Sequence, residues 1–221
     1  MTSCSRLPGH YLTKHDPGFY TKKNDAIVNA TLEHTGYKSG IKLGGSIAIT
    51  DHIFAGLNAG VHKNLLNSGQ TIKGLTIRPE VGYYLNFGQD KNMYLELFAG
   101  GGIQNSNYSI SAYPSVHTRT GNEKPLQFFG GAFMGCNMLG KRIGFDIAYE
   151  HNYYKDPALV KEVGFMDGPD GNPFSFIHIS YNITTSFYVF KKFKNWDLYL
   201  NPGLNIGYTI AFVRMGATWR I

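Results

Sequence analysis

Alternation with a period of two runs through most of this chain, and few folds sustain it over such lengths. Between Thr71 and Gln104, Leu75, Ile77, Val81, Tyr83, Leu85 and Phe87 make one apolar row. Thr76, Arg78, Glu80, Gly82, Tyr84 and Asn86 make the opposite, mostly polar row. Successive side chains of a β-strand point to opposite faces, so each row is one face. After the polar turn Gln89-Asp90-Lys91-Asn92 the pattern restarts, with Met93, Leu95, Leu97, Ala99 and Ile103 against Tyr94, Glu96, Phe98, Gly100, Gly102 and Gln104. Strands of soluble sheets run to about 5 or 6 residues, whereas a tilted strand that crosses a bilayer needs about 9 to 11. Both stretches are long enough to cross. With the charges confined to one face, they read as a transmembrane hairpin, apolar toward lipid and polar toward an interior.

The same alternation starts at Asp25 and ends at Ile221, in about ten segments separated alternately by short turns and long polar connections. The expected fold is all-β: a closed antiparallel transmembrane barrel of about ten strands, or eight if one terminal hairpin is false. Closure leaves no backbone group unpaired in hydrocarbon. Short turns near Asp51, Gln89, Lys141 and Lys192 then lie on the periplasmic side, and the long connections at 64–70, 109–125 and 156–173 lie outside. Pro202 removes one ladder donor and weakens its strand locally. Residues 1–24 lack the pattern and read as an N-terminal leader, a periplasmic tail or a segment entering the barrel mouth; residues 25–221 are the barrel.

Only 16% of the residues are charged, against about 25% in a typical soluble protein, so much of the surface is expected to face something other than water. The bland alternative is a soluble sandwich or lipocalin-like barrel. The formal charge is +6, but the basic residues are scattered, and pairs such as Lys141-Arg142 and Lys191-Lys192 are assigned to turns at a solvated rim. No nucleic-acid-binding motif accompanies them, so nucleic acid is not an expected partner. No run reaches 18 apolar residues, which argues against a membrane helix and leaves a membrane barrel untouched. Cys136 alternates with Met134 and Met138 and reads as a small hydrophobe. Cys4, in Met1-Thr2-Ser3-Cys4, is a candidate for acylation, although no charged or apolar signal region precedes it.

Parity sends Glu33, Lys42, Arg78, Glu80, Glu96, Asp146, Glu150, Asp197, Arg214 and Arg220 inward. Arg78 and Glu80 are expected near Glu96, and closure is expected to bring Arg214 or Arg220 toward Glu33. Such charges are tolerable inside only if paired or hydrated. Ten glycines, including Gly82, Gly100, Gly131, Gly144, Gly203 and Gly216, share that inner row, where small residues relieve crowding in a narrow curved sheet. About ten strands enclose a small lumen, and Phe54, Tyr84, Tyr94, Phe98, Phe129 and Phe133 are expected to occupy much of it, so an open general porin is not expected.

Catalytic readings fare poorly. His178, Ser180, Asp146 and Glu150 can be arranged into a hydrolase-like group only on paper, and no nucleophile elbow, His-Glu-x-x-His or Cys-x-x-Cys occurs. The loop Asp167-Gly168-Pro169-Asp170-Gly171-Asn172 lacks the terminal Glu of a calcium loop. No catalytic residue, metal ligand or cofactor is assigned.

With its aromatic-rich strands, alternating turn lengths and terminal Gly216-Ala217-Thr218-Trp219-Arg220-Ile221, the chain resembles the small outer-membrane β-barrels of Gram-negative bacteria. Gly44-Gly45-Ser46-Ile47-Ala48-Ile49-Thr50 and Pro79-Glu80-Val81-Gly82-Tyr83-Tyr84-Leu85 are similar to porin-family barrels of the Bacteroidota. The resemblance implies residence in the outer membrane, contact with its lipid, and a C-terminal signal read by the barrel-assembly machinery. Trp219 and Ile221 fit that signal, with Ile replacing the commoner Phe. The expected role is a non-enzymatic structural or accessory subunit that docks another envelope protein. A narrow pore for small solutes is the runner-up, and a barrel-embedded hydrolase is a distant third.

Overall fold

The computed structural model describes residues 15–35, 38–65, 71–111, 118–138, 141–153, 181–205 and 210–221. These residues form β1 (Ala26–Thr35), β2 (Lys38–Ala48), β3 (Ile53–Leu65), β4 (Thr71–Phe87), β5 (Met93–Ser111), β6 (Thr118–Glu123), β7 (Leu126–Met138), β8 (Lys141–Tyr153), β9 (Tyr181–Lys192), β10 (Trp196–Asn205) and β11 (Ile210–Arg220). A single 3-10 turn, Gln89–Lys91, joins β4 to β5. Every neighbouring pair is antiparallel, and β1 pairs with β11, so the sheet has no free edge around the membrane.

Eleven segments make a ten-stranded wall. β6 and β7 both pair with β5 in one continuous register, through Ser106↔Glu123 and Ile103↔Leu126. Lys124-Pro125 interrupts them because proline has no N–H to give to the ladder, while the Pro125 carbonyl still accepts from the Gln104 N–H at 3.2 Å. The polar excursion expected at 109–125 is therefore largely strand, since β5 and β6 project past the apolar belt to where both faces can be polar. The 64–70 connection shortens to 66–70. The 156–173 loop, His178 and Ser180 lie outside the described residues.

The two faces sort as the alternation dictates. Val28, Leu32, Ile41, Leu43, Leu57, Val61, Val81, Leu97, Ile147, Leu200 and Met215 are exposed on the outer wall, Leu43 by 61%. In β3 the apolar outer row runs from Ile53 to Val61; at about 3.3 Å per residue and a tilt of about 40° it covers roughly 20 Å, most of the height of a barrel's lipid belt. At the short-turn end Phe193 stacks on Trp196 at 4.2 Å, and Trp196 stands opposite Trp219, an aromatic margin to the belt.

Pro202 is accommodated on the outer face. Between Leu200↔Val189 and Gly203↔Ser186 the ladder skips Asn201 and Pro202. The Asn201 side-chain amide donates to the Phe187 carbonyl at 3.0 Å, in place of the proline's missing N–H.

Inward glycines and inward rings are matched across strands. Phe54 stands opposite Gly82, Phe98 opposite Gly131, Phe129 opposite Gly100, Tyr199 opposite Gly216 and Phe212 opposite Gly203. A Cβ on any of these five glycines would meet the ring opposite at less than ordinary contact distance. The rings lie across the strand because the glycine leaves room there. Gly216→Ala is accordingly expected to destabilise the folded barrel by about 1–3 kcal/mol. Gly45→Ala, where the nearest atom to the new Cβ is a carbonyl oxygen at 3.5 Å, is expected to be neutral or slightly stabilising. Urea unfolding of the two variants in lipid vesicles measures the contrast; equal midpoints would remove the steric argument.

Candidate functional site: the filled lumen

The site begins where the alternation fails, in the residues ahead of β1. At the short-turn rim the Asp25 carboxylate accepts from the Thr21 N–H (2.7 Å), the Thr21 hydroxyl (2.7 Å) and the Lys22 N–H (3.1 Å). The Asn24 N–H donates to the Ala48 carbonyl at 2.8 Å. Asn24 has a φ of 69° and Phe19 one of 50°, a conformation Asn tolerates and Phe rarely adopts. Phe19 is held there by Tyr94 and Phe190 (both 5.0 Å) and Phe133 (5.4 Å), with the Arg142 guanidinium 4.7 Å over its ring. The chain thereby turns back into the barrel, and residues 15–20 form a strap buried inside the lumen.

Asp16 is the strap's anionic anchor. Its carboxylate lies 2.6 Å from Lys42 Nζ and 2.7 Å from Arg214 Nη2, and accepts from the Thr31 and Tyr199 hydroxyls, both at 2.8 Å. Burial disfavours the charged carboxylate, but Lys42 and Arg214 outweigh it and hold Asp16 well below the usual carboxylate range. Arg214 also reaches Glu33 at 3.7 Å across the β1–β11 seam, the pairing that closure implies.

His15 is the cationic counterpart. Nδ1 is 3.0 Å from Glu80 and Nε2 is 2.9 Å from Glu96. Both nitrogens face carboxylates, so only the imidazolium, with a proton on each, satisfies both. Burial works against that charge; the two glutamates overcome it and raise the pKa to about 10. The ring lies between Phe98 (4.4 Å) and Phe54 (5.4 Å). Glu96 further accepts from the Gly18 N–H at 3.0 Å and the Tyr94 hydroxyl at 2.7 Å, and the Tyr188 hydroxyl donates to the His15 carbonyl at 3.2 Å.

Most of the remaining inward charges pair among themselves. Arg78 turns to Glu150 at 3.1 Å and stacks 3.7 Å over Phe129, so its partner is Glu150 rather than Glu96, and Glu80 and Glu96 meet through His15. Asp146 accepts from the Ser186 hydroxyl at 2.7 Å. Arg142, assigned to a turn by sequence, is instead buried: β8 already begins at Lys141, and the guanidinium lies 2.9 Å from Asp197. Arg220 joins the same aspartate at 3.0 Å but sits at the rim with its side chain 30% exposed. Trp219 and Ile221 point outward, and Cys4 lies outside the described residues. The six rings expected to fill the lumen are all buried. Beside His15, Arg78 and Glu150 the remaining gap is about 10 Å³, at the lower limit for one water.

Sequence reasoning missed His15, Asp16 and Arg142. Among the described residues no cluster of three or more His, Cys, Asp or Glu is arranged to hold a metal ion.

No protein-family model matches the chain, and no curated protein matches it in sequence. Solved structures do match in shape. The translocator domain of the autotransporter NalP from Neisseria meningitidis is similar with a TM-score of 0.52 at 11% identity, over 92% of this chain and 90% of that one. The β domain of the Bordetella autotransporter BrkA gives 0.47 at 11% identity over 90% and 99%. A major outer-membrane protein of Thermus thermophilus gives 0.45 at 11% identity over 89% and 98%. At such identities the likeness is one of fold: the chain is a closed antiparallel β-barrel of the outer-membrane type.

Proposed function

We propose that this chain is an integral barrel of a Gram-negative outer membrane, its lumen stoppered by its own N-terminal strap. It serves there as a non-enzymatic structural or accessory subunit of an envelope complex. The observation that carries this reading is the burial of His15 and Asp16 among inward charges of opposite sign. Among the described residues the buried strap 15–20 and the inward rings occupy the lumen, which supports a barrel that does not conduct. That leaves the outer wall and the loops as the surfaces available to a partner. The narrow-pore reading requires the strap to leave. A Bacteroidota origin, acylation of Cys4 and recognition of Trp219 and Ile221 by the assembly machinery belong to the same proposal and rest on the sequence.

Planar-bilayer recording of the intact protein at neutral pH tests it. No discrete channels are expected, and mild detergent extraction of envelopes is expected to yield a stoichiometric protein partner. Steady channels whose conductance shifts on charge reversal at Arg78 or Glu96 would replace this reading with the pore.

A further inference from the structure

On the outer wall, toward the end opposite the short turns, two lysines face each other. Lys63 of β3 and Lys73 of β4 are direct partners in register, and both are exposed. Like charges directly opposite destabilise an antiparallel pair. Neither lysine has an ion-pair partner among the described residues. The row continues on both sides with Ser39 opposite Lys63, His34 opposite Ser39 and Asn107 opposite Lys73. His34 Nδ1 and the Ser39 hydroxyl are hydrogen-bonded at 2.9 Å.

One outward position deeper along each strand the chemistry changes completely. Leu32, Ile41, Val61 and Leu75 stand side by side in register, all about half exposed, and Met215 extends the row across the seam. An open surface hollow of about 920 Å³ lies against this part of the wall, with both rows in its lining. A line of cationic and hydrogen-bonding groups thus sits directly beside a line of aliphatic ones, at the margin of the lipid belt.

We propose that this margin binds a phosphorylated, multi-acyl lipid of the leaflet at that end. The phosphate lies between Lys63 and Lys73, and the acyl chains run along Leu32, Ile41, Val61 and Leu75. An anion between the lysines converts a repulsive cross-strand pair into two attractive contacts, with more effect next to hydrocarbon than in open water. A soluble anion would leave the aliphatic row unused, and a neutral lipid would leave the lysines opposed. The site is continuous with the hydrocarbon-facing belt and so rests on the membrane reading.

Native mass spectrometry of the detergent-solubilised full chain, titrated with diphosphorylated lipid A, tests it. Wild type is expected to retain the lipid, and Lys63→Glu/Lys73→Glu to lose at least about tenfold in affinity. Lys63→Gln/Lys73→Gln is expected to fall between them, and Lys191→Glu/Lys194→Glu at the opposite rim to bind as wild type does. Equal loss in the opposite-rim variant would mean non-specific attraction. Equal retention of phosphatidylcholine, or displacement of lipid A by millimolar inorganic phosphate, would likewise overturn the site. Insertion into neutral vesicles, scored by heat-modifiable gel mobility, is read separately. Insertion without lipid preference would sink the site and leave the membrane reading standing.

Discussion

Asp16→Ala is expected to release the strap and weaken the barrel by about 3–5 kcal/mol, the usual cost of removing one partner from a buried ion pair. The carboxylate has two cations within 2.7 Å, Lys42 and Arg214, and both are buried. Without it they repel each other with no water to screen them. Relief comes most readily by expelling the strap and admitting solvent, since the strands themselves stay paired. Two readouts should move together: protease cleavage near Thr21 and Lys22 should accelerate, and a bilayer that is silent with wild type should conduct. Adding Lys42→Met to Asp16→Ala removes one of the two facing cations and should recover part of the stability. A variant as silent and as protease-resistant as wild type would show that the anchor does not hold the strap.

Alkali is the second lever, through His15. Because its pKa is raised in the folded chain, from the ordinary 6.5 to about 10, the imidazolium stabilises the folded state in full below about pH 6.5. That contribution declines between the two values and is gone once the folded group has lost its proton above about 10. Glu80, Glu96 and the Tyr94 hydroxyl remain behind, leaving two buried carboxylates near each other without the imidazolium between them. Wild type should therefore exceed His15→Gln in unfolding free energy by a few kcal/mol near pH 6, on the order expected for a doubly paired buried charge. The gap should close as pH approaches 10. A constant gap across that range would mean that shape and stacking between Phe54 and Phe98, rather than charge, account for His15.

Much of the wall could be read from the chain because period-two alternation is local. Leu75, Ile77 and Val81 declare one face of β4 and Arg78 and Glu80 the other, with no knowledge of the neighbours. The Glu33–Arg214 pair was also accessible, since closing a barrel must bring its first and last strands together. Arg78 and Glu150 are both buried, but their pairing crosses the lumen between strands that are not neighbours, and parity carries no information across that space. Arg142 was lost to a boundary shift of two residues, because Lys141-Arg142 after Gly140 has the composition of a turn. His15 and Asp16 were illegible for a deeper reason. An extended strap lying among inward side chains has contacts on every side, so it needs no periodicity, and its Pro17-Gly18 has the look of an ordinary loop.

The strap's anchor draws its partners from both sides of the join between the first and last strands: Thr31 of β1 and Lys42 of β2 on one side, Tyr199 of β10 and Arg214 of β11 on the other. An unzipped cylinder has no such cradle, because its halves are held apart. Seating therefore depends on closure: Asp16 has its full set of partners only when the N- and C-terminal strands have met, and once seated it acts as a clasp that resists their parting.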